Sequence, residues 1–244
     1  AGLVIDLDAP ANTDVTALNI SLSQNTDLRI NNADDLETVD ASGSTGGIAM
    51  NLSGADSDDF ALETATTGSG ADIIQLAQNT FSADSVSLDL GAGADTVAVV
   101  LSAAEGSNSA VADLSITGGA GGDEFAFVGG NIILNTDEDA FGDAMGTVSV
   151  TDFGNGADTL ALEGFVSITS SFAAENSVTQ ALETLDEDAV LFDAVLAVSG
   201  AVEDANPSVV PVFYAQFEFD GSTYLYGDEN GNGLDSGDML IDLN

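Results

Sequence analysis

A pattern of glycines followed by an aspartate recurs four times in the middle of this 244-residue chain. The copies are TGSGADIIQL (67–76), LGAGADTVAV (90–99), GGAGGDEFAF (118–127) and FGNGADTLAL (153–162). Glycines permit backbone angles that turn carbonyl oxygens toward a common point, and the aspartate adds a carboxylate there. Two stacked turns together offer about six oxygens, a number that suits calcium. The pattern therefore predicts calcium sites.

The candidate ligands are two glycines and the aspartate of each copy. They are Gly68, Gly70, Asp72, Gly91, Gly93, Asp95, Gly119, Gly121, Asp123, Gly154, Gly156 and Asp158. The alternative is that these segments are simple β-turns, in which aspartate is favoured by turn geometry alone. We favour calcium, because a single copy would arise by chance in a glycine-rich acidic chain whereas four copies are a stronger signal.

A second candidate calcium site is the acidic segment DENGNGLDSGD (228–238), which resembles the opening of an EF-hand loop. Its candidate ligands are Asp228, Asn230, Asn232 and Asp238. Position twelve of such a loop would be Met239, so the closing acid comes one residue early. Either a shortened loop closes on Asp238 or the segment is a polar hairpin.

The charge balance also indicates a need for cations. Forty-two acidic residues face one basic residue, Arg29, and the net charge is -41. Self-repulsion on this scale opposes folding unless counter-ions bind in fixed places. Oxygen ligands without His or Cys select calcium or magnesium over zinc, copper or iron. The alternative is a halophilic surface that is solvated by diffuse cations.

The same composition excludes several function classes. Nucleic acid and anionic membranes need basic contacts that one arginine does not supply. No apolar run is long enough for a membrane span. Serine and cysteine nucleophiles lack their usual activating bases, because His, Lys and Cys are absent, and no glycosidase-like pair of carboxylates stands out. We therefore do not expect an enzyme.

Strands must position the glycine turns. Each copy continues with alternating apolar residues, and the apolar residue two positions after its aspartate is predicted to point inward: Ile74, Val97, Phe125 and Leu160. A period of two is typical of strands. Strand-like runs also precede the later copies, as in VSLDL (86–90), and occur near the start, as in LVIDL (3–7) and IAMNL (48–52). The pattern predicts a mainly all-β chain folded as a parallel β-solenoid.

The C-terminal part of the chain has a different character. Apolar residues at helical spacing predict a short helix over roughly 174–187, and 201–211 is predicted to be a loop. FYAQFEF (213–219) and STYLYGD (222–228) predict an antiparallel hairpin around Asp220 and Gly221 that caps an open solenoid edge.

Three segments follow from these patterns. Residues 1–66 are predicted to form solenoid rungs without glycine turns, 67–165 a calcium-binding β-roll, and 166–244 a cap with a short helix, a hairpin and an acidic loop. The chain does not begin with Met, which is expected of a processed product or a fragment.

Several of these segments resemble RTX-type calcium-binding repeat proteins. GGAGGDEFA (118–126) matches the repeat G-G-x-G-x-D-x-U-x, and VTDFGNGADTLALEGF (150–165) resembles a last repeat with its exit strand. LETVDASGSTGGIAMNLSG (36–54) and FEFDGSTYLYGDENGNGLDSGDMLIDLN (217–244) resemble parts of bacterial S-layer proteins of this type. Only one copy has the full Gly-Gly start, and the copies never follow at nine-residue spacing.

The resemblance implies a function as well as a fold. It implies an extracellular structural protein at a bacterial cell surface that binds several calcium ions and assembles with copies of itself, the ions bridging acidic faces. Cell-surface polysaccharide is a further candidate partner. The alternative is a C-terminal calcium-binding, type I secretion module of a larger secreted enzyme or adhesin.

Overall fold

A computed structural model provides the structure of this protein. It describes residues 3–8, 15–31, 35–52, 60–78, 81–101, 111–130, 147–162, 178–186, 189–205, 213–228, 234–235 and 237–244. Of the candidate ligands, Asn230 and Asn232 lie outside the described residues.

A seven-stranded sheet forms one wall of the molecule, and all its neighbouring strands are parallel. Its strands in spatial order are β1 (Leu3–Asp8), β3 (Thr26–Asn31), β5 (Ile48–Leu52), β7 (Ile73–Ala77), β10 (Thr96–Val100), β13 (Glu124–Val128) and β15 (Thr159–Leu162). The spatial order follows the chain, so each strand lies beside the next strand that returns to this wall.

A nine-stranded sheet forms the opposite wall. Its first strands in the chain are β2 (Ala17–Asn19), β4 (Thr38–Asp40), β6 (Thr64–Thr66), β8 (Ser85–Asp89), β11 (Asp113–Thr117) and β14 (Val148–Val150), and these are mutually parallel. The sheet is completed by β18 (Met239–Leu243), β17 (Ser222–Asp228) and β16 (Phe213–Phe219). Within the turns, β9 (Ala92–Gly93) pairs with β12 (Ala120–Gly121).

The chain alternates between the two walls: β2, β4, β6 and β14 are each followed directly by a strand of the seven-stranded sheet, and β8 and β11 are followed by one after the short turn strands β9 and β12. A short turn connects each such pair, and the pairs stack as rungs. The predicted parallel β-solenoid is therefore confirmed.

The core fills the space between the walls, because alternate side chains of both sheets point inward. Ile74 aligns with Val97, Phe125 and Leu160 across four neighbouring strands. The first three are fully buried and Leu160 is partly buried against the same cluster. The prediction that these residues point inward is confirmed.

The C-terminal hairpin is confirmed with the predicted strand bounds. Asp220 and Gly221 both have positive φ, 47° and 86°, which suits the tight turns that match the twist of a hairpin. Strand β18, which the sequence did not predict, pairs in parallel with β14 and antiparallel with β17. The hairpin is thus joined to the last rung of the nine-stranded sheet.

The helical prediction is only partly correct. Residues 178–182 are helical, whereas the predicted positions 174–177 and 187 lie outside the described residues. A longer helix, α1 (Leu191–Ala205), was not predicted, and the loop expected from residue 201 is wrong up to residue 205. The reason is packing: Ala194, Val195, Val198 and Val202 are buried against side chains of the hairpin. In the described part of the chain, no helix is long and apolar enough to cross a membrane.

Candidate metal centre

The glycine turns lie at one edge of the solenoid, where the chain crosses from the nine-stranded to the seven-stranded sheet. Because the strands that follow these turns are paired in register, the four aspartates stack along the solenoid axis. We call Asp72, Asp95, Asp123 and Asp158 the aspartate column. The structure therefore brings together all four aspartates that the repeated motif identified.

Hydrogen bonds connect each member of the aspartate column to the rung before it. The amide of Asp72 donates to Oδ1 of Asp95 (2.7 Å), and the amide of Asp95 donates to Oδ1 of Asp123 (2.9 Å). The amide of Asp123 donates in turn to Oδ1 of Asp158 (2.9 Å). At the N-terminal end the amide of Ile48 donates to Oδ1 of Asp72 (2.6 Å). One carboxylate oxygen of each aspartate thus accepts a backbone amide.

The second carboxylate oxygen of the first two aspartates has no such hydrogen bond. Asp72 and Asp95 are each 1% exposed, and no described group meets hydrogen-bond geometry at Oδ2 of either, although the hydroxyl of Thr67 and the amide of Gly68 lie close enough to Asp72 to oppose the rise of its pKa. A buried polar atom without a partner costs free energy, and a buried unpaired charge costs more. These two oxygens are the atoms of the column that most need a cation or a proton.

Burial and mutual repulsion both raise the pKa of carboxyl groups in the column. Burial raises the pKa of Asp95 to about 7, the hydrogen bond from the Asp72 amide opposes this, and the charges of Asp72 and Asp123 add to it. Burial also raises the pKa of Asp72 and of Asp123. Strands about 4.8 Å apart place like charges close together, and two charges at that distance repel by about 3 kcal/mol at an effective dielectric constant near 20. The column thus disfavours full ionisation without a counter-ion.

The glycines of these turns are required for two different reasons. Gly91, Gly119 and Gly154 have positive φ (79°, 87° and 91°), as the sequence analysis expected of turn glycines. Gly121 and Gly156 do not, and they are needed because a Cβ there would overlap a backbone oxygen of the preceding rung. Left-handed backbone angles thus account for only some of the motif glycines.

The other motif glycines also lie against neighbouring backbone. A Cβ on Gly68 would overlap the carbonyl oxygen of Ser44, one on Gly70 the backbone of Gly46, and one on Gly93 the carbonyl oxygen of Gly70. The turns are hydrogen-bonded to each other as well, since the amide of Ala92 donates to the carbonyl of Gly68 (2.8 Å). Close stacking therefore brings backbone oxygens of successive turns near the carboxylates.

Asp152 was missed by the sequence analysis. Its Oδ1 accepts the amide of Gly118 (2.8 Å) and its Oδ2 accepts the amide of Gly119 (2.7 Å), so its carboxylate covers the turn of the preceding rung. Its place two residues before Gly154 resembles that of Asp89, whose Oδ1 accepts the amide of Gly91 (3.1 Å). An aspartate just before a turn glycine was the signal that could have identified it.

The turn at residues 41–47 has no carboxylate at the position of the aspartate column, although Oδ1 of Asp40 accepts the amide of Ser42 (3.0 Å). Oγ of Ser44 accepts the amide of Leu22 (3.0 Å), and Oδ1 of Asn25 accepts the amide of Gly47 (3.1 Å). The position equivalent to the aspartate column is held by the apolar Ile48. The turn thus lacks a column carboxylate of its own, and the amide of Ile48 is accepted by Oδ1 of Asp72 in the next rung.

The acidic loop at 228–238 places two buried carboxylates near one tyrosine. Asp228 and Asp238 are both 0% exposed. Oδ2 of Asp238 accepts the hydroxyl of Tyr226 (2.9 Å) and the amide of Asp235 (2.8 Å). Burial raises the pKa of Tyr226, and the charges of Asp238 and Asp228 add to the effect. Asp238 thus takes part in closing the loop, and calcium binding here stays a prediction.

Arg29, the one basic residue of the chain, forms an ion pair away from the aspartate column. Arg29 lies on β3, and its Nη2 is 2.9 Å from Oδ2 of Asp27. Among the described residues no group of three acidic, His or Cys side chains could hold a metal by itself. A cation at the aspartate column would therefore need ligands from more than one rung, namely column carboxylates together with backbone oxygens of the turns.

No protein-family model matches the chain, and no curated protein or solved structure is significantly similar to it. The resemblance to RTX and S-layer proteins thus rests on the quoted motifs alone.

The chemistry of the aspartate column fits calcium. Carboxylate and carbonyl oxygens are the ligands that calcium takes, and Oδ2 of Asp72 and Oδ2 of Asp95 are buried acceptors without a hydrogen-bond donor in the described residues. The residues that would hold calcium are those of the column together with glycine carbonyls of the same turns. Bound there, the ion would neutralise charge that the chain itself does not compensate.

Proposed function

We propose that this chain is a structural, extracellular protein of a bacterial cell surface that folds with calcium and assembles with copies of itself, as S-layer proteins do. The observation that carries the proposal is the pair of buried, unpartnered oxygens of Asp72 and Asp95 among the described residues of a chain with a net charge of -41. Asp95 supports it further, because its Oδ1 alone accepts the amide of Asp72 and its buried Oδ2 remains available to a cation.

The proposed mechanism couples folding to calcium. The ligands of each site come from successive turns, so the site exists only when rungs stack. A ligand that binds only the folded state stabilises it by RT ln(1 + [L]/Kd), about 2.7 kcal/mol when its concentration is one hundred times Kd. Extracellular calcium is high enough to saturate sites of modest affinity, whereas cytosolic calcium is not. The protein would then acquire its fold outside the cell.

Assembly follows from the same charge. Without bound cations the acidic copies repel each other, and calcium lowers the repulsion and can bridge acidic faces. Copies of this chain are the proposed partner, and cell-surface polysaccharide is a candidate for anchoring the assembly.

A calcium titration of the chelated protein tests the proposal. We expect β-sheet circular dichroism and light scattering both to rise with calcium, whereas potassium at equal ionic strength should not replace it. An unchanged β-sheet spectrum after exhaustive EGTA treatment would contradict calcium-coupled folding. Recovery with potassium alone would support the halophilic interpretation.

The two measurements also separate the proposed function from its alternative. Calcium-dependent folding without lattice, sheet or filament in electron microscopy would favour the C-terminal module of a larger secreted protein. Folding followed by ordered assembly would favour the structural surface protein.

A further inference from the structure

The outer face of the seven-stranded sheet is apolar toward its C-terminal end. Ile73, Val100 and Val128 point outward there and are 48%, 46% and 37% exposed. Between them lies a row of alanines in register across β10, β13 and β15. We call these residues the aliphatic face: Ile73, Ala98, Val100, Ala126, Val128 and Ala161.

This face carries little charge. The other outward positions of β7, β10, β13 and β15 include one acid, Glu124, beside threonine, glutamine and alanine. On the nine-stranded sheet, the outward positions of β4, β6, β8, β11 and β14 are rich in hydroxyl groups and acids, and the acids are Asp40, Asp89 and Asp113. The two outer surfaces therefore differ in charge although both belong to the same rungs.

Charge determines which partner suits the aliphatic face. A cationic partner would be attracted to the acidic surfaces, which offer it more favourable contacts. Two copies of this chain repel each other strongly, because each carries a net charge of -41, and they repel least where charge is absent. We propose that the aliphatic face is a self-association surface on which a second copy packs the same face. This inference rests on the self-assembly proposed above.

The dimensions of the face indicate how strong the contact is. Four strands about 4.8 Å apart, each five residues long at about 3.3 Å per residue, cover roughly 300 Å². Patches of this size on monomers are often functional, yet a stable interface needs about 800 Å² from each partner. One such contact is therefore weak, and it stabilises an assembly only in combination with other contacts such as the calcium bridges.

Two aspartate substitutions test the surface. Val100→Asp adds a charge to the aliphatic face, and Ser87→Asp adds the same charge to the exposed centre of β8 on the opposite sheet. Both variants should fold with calcium at nearly the wild-type concentration, measured by circular dichroism. Light scattering should show that Val100→Asp raises the protein concentration needed for assembly at least about tenfold, while Ser87→Asp stays near wild type.

A cross-linking experiment does not depend on the behaviour of Val100→Asp. The chain contains no cysteine, so Val128→Cys and Ser87→Cys each introduce a single thiol. If equal faces meet, Val128→Cys should form disulfide-linked dimers under oxidation in calcium, and Ser87→Cys should not. Equal cross-linking of the two variants, or equal assembly of Val100→Asp and Ser87→Asp, would overturn the surface alone. A wild-type chain that folds with calcium but stays monomeric would overturn the self-assembly itself and this surface with it.

Discussion

The turn at residues 41–47 and the turn at residues 90–95 belong to the same stack but satisfy their surroundings with different side chains. In the first turn, Ser44 and Asn25 accept backbone amides without carrying charge. In the second, Asp95 accepts an amide with one oxygen and keeps the other buried without a hydrogen bond from any described residue. Both turns hold glycines against neighbouring backbone. The difference separates what stacking requires at both turns, which is glycine, from what the second turn adds, which is a buried carboxylate oxygen without a hydrogen bond from any described residue.

The largest expected loss of stability comes from replacing a stacked glycine, whether or not its turn carries a column aspartate. Gly121→Ala and Gly46→Ala each place a Cβ inside the backbone of the preceding rung. Overlap with backbone has no flexible side chain to relieve it, so each substitution should lower the free energy of unfolding by several kcal/mol. Urea denaturation in saturating calcium measures this. An effect confined to Gly121→Ala would mean that glycine is required only in the turns that carry the aspartate column.

The next effect should occur only in the aspartate column and should change sign with calcium. Asp95→Asn keeps an oxygen for the Asp72 amide but removes the buried charge. In calcium we expect a loss of about 1–3 kcal/mol because a charged ligand is gone. In EGTA the variant should retain more β-sheet signal than wild type, because the repulsion with Asp72 and Asp123 disappears.

Glu63→Gln is the matched control for Asp95→Asn, since it removes one charge from an exposed side chain. It should behave like wild type in both calcium and EGTA, within about 0.5 kcal/mol. If Asp95→Asn is destabilising in both conditions, the carboxylate has only the structural role of a turn acceptor.

The pH dependence without calcium gives a further test of the column. The pKa of Asp95 in the folded protein is about 7, above its ordinary value of 3.8, so the folded state binds the extra proton between these values. The resulting stabilisation is complete below about pH 4 and is lost as the pH rises through 7. The β-sheet circular dichroism of the calcium-free protein should therefore be stronger at pH 5 than at pH 8.

Calcium should reverse this trend, because protons compete with the ion for the same carboxylates. In saturating calcium, lowering the pH from 7 to 5 should reduce stability. If lowering the pH increased stability both with and without calcium, protons alone would be sufficient to neutralise the carboxylates of the column.

The smallest expected effect comes from replacing a glycine that has open space for a side chain. Gly200 is exposed on helix α1, and a Cβ there would meet nothing within 4 Å. Gly200→Ala should raise the free energy of unfolding by about 0.5–1 kcal/mol through helix propensity. Thermal unfolding in calcium measures the change, and a loss of stability would show that the helix packs more closely than the structure indicates.

Much of the fold could be predicted from local patterns. Alternating apolar residues after each glycine turn predicted strands and a solenoid, and Asp220 with Gly221 predicted the hairpin. Helix α1 was missed because its valines are typical of strands and Gly200 interrupts the helical pattern. Its stability comes from packing on the hairpin, which no local pattern reports.

The candidate site was predictable as residues but not as geometry. The repeated motif identified the four aspartates, yet the loops between copies have different lengths, so pairing register could not be read from spacing. Register decides that Asp95 caps the amide of Asp72. The burial of Asp238 beside Tyr226 likewise depends on the pairing of β17 with β18.

The hydrogen bonds of the aspartate column give the solenoid a polarity. Each carboxylate accepts the amide of the rung on its N-terminal side, as Asp123 does for Asp95 and Asp158 does for Asp123. Loss of one rung therefore leaves an amide of the rung before it without its carboxylate acceptor. The two ends of the column are thus not equivalent, because Asp158 is its last member and no later member of the column accepts its amide.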